Sequence, residues 1–185
     1  MARFSVVLDA CVLVPIVLAD ALLRIAERGV FRPVWSERIL TEAIDAVCEV
    51  HPTIDPQLIA RRFAAMRTTF EDATAAGWEP LMHNVVLPDP GDPHVVAVAV
   101  RGAQAIVTSN VADFPESALE PLGLETIHPD ASLLDEHELA PRIVLDVLAE
   151  QAAHTTRPAL TTMDVLVHLA RAGVPDFANE VGRML

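Results

Sequence analysis

The chain has 185 residues, 52% of them hydrophobic, with thirteen basic side chains against twenty-six acidic ones and a formal net charge of −13. That length holds one α/β domain of about 130 residues plus a smaller appendage, and the apolar content excludes a disordered chain. The acidity opposes general nucleic-acid binding, where phosphate contacts dominate affinity, and two cysteines (Cys11, Cys48) without histidines at ligand spacing exclude a zinc site.

In chain order, FSVVL at 4–8 is a short β-branched run of the kind found in buried parallel strands. A helical pattern follows, with Leu18, Leu22, Leu23 and Ile25 on one side, and it stops at Gly29. VFRPVW reads as a second strand, and Ser36 as the N-cap of ERILTEAIDAVCEV, whose apolar face is Ile39, Ala43, Ala46 and Val47. Asp55-Pro56 reads as cap and first residue of the next helix, which carries Arg61, Arg62 and Arg67. WEPL is expected to be a third, weaker strand, and HVVAVAVRGA a helix opened by Asp92-Pro93. AIVTS reads as the fourth strand and LETIHP as a fifth. From Pro129 only helical patterns remain, punctuated by Pro141, Pro158 and Pro175. The expected organisation is an α/β domain over 1–128 and a helical unit over 129–185.

The N-terminal apolar stretch contains Asp9 and Pro15, unlike a signal peptide, and no uncharged run reaches the roughly 18 residues of a membrane span. A cytoplasmic protein with no membrane partner is expected. Both cysteines are expected to be reduced and buried.

Charge is unevenly placed. Through Phe70, eight arginines face eight acids; from Glu71 onward, five arginines face eighteen. A basic surface must therefore come from the first part, with Arg38, Arg61 and Arg62 the candidates to guide a polyanion.

Four acids stand where apolar runs give way to turns or helices: Asp9, Glu42, Asp92 and Asp113. Taken singly, each has an ordinary reading: Asp9 and Asp92 as helix caps, Glu42 as a helix-surface carboxylate, Asp113 as a turn residue. Taken together in a parallel sheet, they converge on the edge formed by the strands' carboxyl ends. Carboxylates gathered without a lysine are costly unless cations hold them, and hard oxygen donors suit Mg²⁺ or Mn²⁺. Asp89, Asn110 and Thr108 sit in the same loops as supporting candidates; Asp89 equally suits a turn, and Thr108 equally suits completing its strand.

The words VVLDACVLVP, SERILTEA, LPDPGDPHVVAVAV and IVTSNVADFP resemble the PIN-domain family, especially its VapC-like toxins, over roughly residues 4–128. The resemblance implies a Rossmann-like α/β/α sandwich with a parallel sheet and a Mg²⁺- or Mn²⁺-dependent endoribonuclease that hydrolyses single-stranded RNA. It places Asp9, Glu42, Asp92 and Asp113 in the family's acidic quartet, with Asp9, Asp92 and Asp113 on the metal and Glu42 ligating it or orienting water. Asn110 stands where relatives often carry Asp. The resemblance also implies a cognate antitoxin protein, and the apolar helix faces suit a homodimer.

Other chemistries lack their motifs: no HxxxH or HxH, no Gly-rich phosphate loop and no GxSxG occur. His94 reads as a first-turn helix residue. Two competing functions remain. One is a PIN scaffold that binds RNA or a protein without cutting, in keeping with Asn110. The other is a DNA-binding regulator using the helix–glycine–helix outline of residues 161–185, whose second helix carries only Arg183.

Overall fold

The computed structural model describes residues 4–155 and 158–185; Arg3, the one charge ahead of the N-terminal apolar run, lies outside them. Four parallel strands form one sheet in the order β2-β1-β3-β4, with β1 at Ser5–Leu8, β2 at Arg32–Val34, β3 at Ala105–Val107 and β4 at Glu125–Ile127. Val6 of β1 faces Pro33 on one side and Ala105 on the other. Every residue of β1 and β3 is buried, which is why both read as unbroken apolar runs. Pro33 has no N–H to give a ladder and is accommodated because β2 is an edge strand.

Between β1 and β2 lie α1 (Ala10–Leu13) and α2 (Ile16–Glu27). Gly29, at φ 77, turns the chain after α2 in a backbone conformation that side chains resist. Helices α3 (Glu37–Val50), α4 (Pro56–Thr69) and α5 (Pro93–Gly102) lead to β3 on the opposite side of β1. The chain thus builds outward from β1 in one direction and then in the other. That reversal opens a crevice beyond the carboxyl ends of β1 and β3.

Local sequence accounts for most boundaries. Ser36 Oγ accepts from Ile39 N (3.2 Å), and Asp55 accepts from Gln57 N (2.9 Å) ahead of Pro56. Leu18, Leu22 and Ile25 are fully buried as expected, while Leu23 is only partly so. One element departs from expectation. WEPL is not a strand: Trp78 leads into a 3₁₀ turn over Glu79–Asn84. Pro80 deprives that segment of a ladder donor, and the extended pairing occurs upstream, where Trp35 bridges Thr74. Among the described residues the sheet accordingly has four strands rather than five.

After β3, a 3₁₀ turn (Val111–Asp113) and α6 (Glu116–Leu119) return the chain to β4. Four helices follow: α7 (Pro129–Leu139), α8 (Pro141–His154), α9 (Thr162–Arg171) and α10 (Pro175–Gly182). Proline opens three of them, and a reciprocal Thr161–Asp164 capping box opens α9. Buried Asp130 on α7 accepts from Asp176 N (3.0 Å) and Phe177 N (2.8 Å), so one helix caps another. Helix α8 packs along α2: Gln151 Nε2 donates to Val17 O (2.9 Å), and Arg28 pairs with Glu150. No helix among the described residues is long and apolar enough to cross a membrane.

Glu136 on α7 is buried and accepts from Ser132 Oγ at 3.1 Å. Burial foremost, with Asp135 adding, pushes its pKa from 4.5 up to about 8, while the Ser132 bond pulls the other way. An unfolded carboxyl releases its proton first, so the stability this group contributes is full below 4.5 and is lost as pH rises through about 8. Glu136→Gln keeps the shape and removes the titration. Urea denaturation at about pH 6 and about pH 9 is predicted to show a smaller stability loss for the variant than for wild type. Equal losses would contradict this account of α7.

Candidate active site

Asp9 is the first residue beyond β1, and the residue is 8% exposed. One oxygen accepts from Ala10 N (2.7 Å), capping α1; the other accepts from Thr108 Oγ1 (2.7 Å) and from Cys11 Sγ (3.2 Å). Thr108 follows β3, so this bond ties together the carboxyl ends of two neighbouring strands. Thr108 Oγ1 in turn accepts from Asn110 N (3.1 Å), and Cys11 Sγ accepts from Ser109 N (3.3 Å). Burial and the Asp9 charge push the Cys11 thiol up to about 11, keeping it protonated as a donor.

Asp92 occupies the N-cap position of α5, yet its side chain makes no capping bond. The carboxylate is left to face the crevice. Its pKa rises from 3.8 to about 6, through burial first and then the charges of Asp9, Asp89, Asp113 and Glu42. Repulsion from all four shows that the loops after β1 and β3, the α5 entrance and α3 converge at one place. Asp89 is exposed and forms a turn, its Oδ1 accepting from Gly91 N (2.7 Å). Asp113 is half-buried at the end of its 3₁₀ turn, and Asn110 is exposed.

Glu42 reaches the crevice from α3 with one cation already on it. Arg38, one helical turn earlier, donates Nε to Glu42 (2.9 Å) and Nη2 to Gly91 O (3.1 Å). His94 is 1% exposed, with Nδ1 2.8 Å from Gly91 O and Nε2 3.0 Å from Glu42. A carbonyl can only accept, so Nδ1 carries a hydrogen; the Nε2 approach lacks hydrogen-bond geometry and is an ion pair only when the ring is doubly protonated.

The donor set fits a hard divalent cation in its chemistry, being all carboxylate oxygen with like charges pressed together. It is an open arrangement: among the described residues, no three His, Cys, Asp or Glu side chains stand close enough to form a ready cage. Asp9, Asp92 and Asp113 are the residues that would hold such an ion. A separate cleft of about 690 Å³, against β4 and lined by Phe114, Leu119 and Thr126, contains none of them.

The arginines divide. Arg38 stands at the site and Arg61 is exposed on α4, but Arg62 is not a surface guide: it turns inward and donates Nη2 to Leu13 O (3.1 Å). Arg67 is held by Glu37. The thiols are half-buried rather than buried, and Cys11 belongs to the site. Two contributors escape a reading of the sequence. Cys11 looks like core in its apolar stretch, although its place two residues after Asp9 was a signal; His94 looks like an ordinary first-turn residue because its contact with Glu42 spans two helices.

Fold and site together define a parallel α/β domain with a carboxylate-lined crevice at its topological switch point. Residues 5–112, more than half of the chain, match the PIN domain model, and residues 129–183 match that of the VapC50 C-terminal domain. The chain belongs to the PIN-domain family. A curated relative, "Putative ribonuclease VapC50" of Mycobacterium tuberculosis (strain ATCC 25618 / H37Rv), is 36% identical over 94 residues, covering 50% of this chain and 55% of that protein. The match therefore spans only about half the relative's length. No solved structure matches the chain.

The carboxylate cluster predicts a pH signature. Between 3.8 and about 6, folded Asp92 keeps a proton that the unfolded chain has released, so its stability contribution fades as pH rises through that window. Carboxyl-carbon NMR of metal-free protein should show Asp92 titrating near 6, and Asp9→Asn should lower that midpoint. A midpoint at the ordinary carboxylate value would mean the acids do not converge.

Proposed function

We propose that this protein is a Mg²⁺- or Mn²⁺-dependent endoribonuclease that hydrolyses phosphodiester bonds in single-stranded RNA, acting as the toxin of a toxin–antitoxin pair. The observation that supports the reading is the Asp9 carboxylate fixed at the carboxyl end of β1 by Thr108 and Cys11, with the Asp92 side chain left uncapped at the entrance of α5. The ion, when bound, supplies charge stabilisation for the phosphoryl oxygens and acidifies a water. Asp9, Asp92 and Asp113 hold it; Thr108 and Cys11 keep Asp9 in place. Glu42, steadied by Arg38, ligates the ion or orients the attacking water. Arg38 and Arg61 draw RNA phosphates to the edge, offsetting the acidity of the chain.

Residues 1–128 are the nuclease domain and 129–185 a helical unit docked on α2. A cytoplasmic protein, a homodimer and a cognate antitoxin complete the reading. An arginine of such a partner, set among the carboxylates, would pair with the acids in place of the metal. The reading as a non-cutting scaffold draws on the Arg38 pairing of Glu42 and neutral Asn110. DNA binding through α10 is disfavoured by its exposed Asp176 and Glu180, the latter already paired with Arg183.

Single-stranded RNA should be cut by wild type with Mg²⁺ or Mn²⁺ and not with EDTA, and Asp9→Asn should lose at least about a hundredfold in rate. Equal cleavage by both proteins, or cleavage that survives EDTA, would sink the proposal. Purification of active protein at high yield from a host without any partner, with no growth defect, would argue against the toxin role.

A further inference from the structure

The cleft of about 690 Å³ against β4 lies apart from the carboxylate crevice and has a chemistry of its own. Phe114, Leu119 and Leu124, all buried, give it an apolar floor. Exposed Glu116, Glu120 and Glu125 also line it, and among the described residues that do so none is basic. None of the three glutamates is in an ion pair among the described residues. The two neutral polar side chains are already engaged: Gln104 Oε1 accepts from Ser5 N (2.7 Å), and Thr126 Oγ1 donates to Phe114 O (3.1 Å).

The strand beside the cleft is open on its outer side. Glu125 N donates to Gln104 O (3.3 Å) and Ile127 O accepts from Thr108 N (3.1 Å), so these two residues of β4 turn their backbone groups to β3. Thr126 between them turns its N–H and C=O the other way, where no strand of the described sheet stands. An edge of this kind accepts a further strand, and main-chain bonds then supply the attachment while side-chain pockets supply the selection. Charge decides which strand. From Glu71 onward the chain carries five arginines against eighteen acids, so a second copy would bring like charge to this edge. A polyanion such as RNA is repelled for the same reason. Arginine and lysine suit both surfaces at once, their aliphatic stems covering the apolar floor and their charged heads reaching the glutamates.

We propose that the β4 edge and this cleft together bind an extended, basic segment of a partner protein. The segment lies beside β4 as a further strand, exchanging main-chain bonds with Thr126. Its basic side chains, at alternate positions, reach Glu116, Glu120 and Glu125.

The test is amide hydrogen exchange of the full chain in EDTA, read by NMR, with a short capped peptide of alternating arginine and valine as the probe. In the free protein the Thr126 amide should exchange faster than those of Glu125 and Ile127, and the arginine peptide should slow it saturably. A matched peptide with glutamate in place of arginine should not. Glu116→Lys combined with Glu120→Lys, both at exposed positions, should weaken binding at least about tenfold, because two attractive pairs become repulsive. Equal protection by the glutamate peptide, wild-type binding by the double variant, or no protection of Thr126 by the arginine peptide would overturn the proposal. Protection confined to amides around Asp9 and Asp92 would overturn it too, by placing the peptide on the carboxylate crevice. So would Thr126 protection that grows with protein concentration alone, which would make the occupant a second copy. The measurement uses neither RNA nor metal, so it stands or falls separately from the ribonuclease reading.

Discussion

The Thr108 hydroxyl donating to the Asp9 carboxylate is the contact on which the acidic edge depends. It joins the ends of β1 and β3, the two strands between which the chain reverses its direction of building. Each partner is held independently: Asp9 by the first amide of α1, Thr108 by the amide of Asn110. A buried carboxylate satisfied by three donors is a rigid fixed charge. Asp92 and Asp113 come from loops that end beside it, and their mutual repulsion is the cost of that placement.

The acids at this edge are treated unequally. Glu42 has the Arg38 guanidinium paired with it, so part of its charge is answered within the protein. Among the described residues Asp92 has no such partner, and it forgoes the capping bond its position offers. Asp9 is satisfied by donors that carry no positive charge. The charge left unanswered thus lies on the residues assigned to the metal, and a cation is the simplest group that relieves it.

Much of this was legible in the sequence because it is local. Buried parallel strands announce themselves as short β-branched runs, and Ser36 and Asp55 mark helix starts through bonds to residues two or three positions away. The order of the acids at strand ends was legible for the same reason. WEPL was misread because an apolar tryptophan resembled a strand, while Pro80 and the Trp35–Thr74 bridge decided otherwise. The contacts of Arg62, Cys11 and His94 were not legible for another reason: they are made with partners 49, 97 and 52 positions away, although His94 does stand in the first turn of α5.

The helical unit is fastened to α2 by the Gln151 and Glu150 contacts and braced internally by Asp130. The central claim remains that the Asp9 edge holds a divalent cation. Mn²⁺ titration followed by electron paramagnetic resonance tests it without reference to RNA. The account predicts saturable binding that is lost in Asp9→Asn and retained in Gln151→Leu. Absence of saturable binding, or identical binding by wild type and Asp9→Asn, would contradict it.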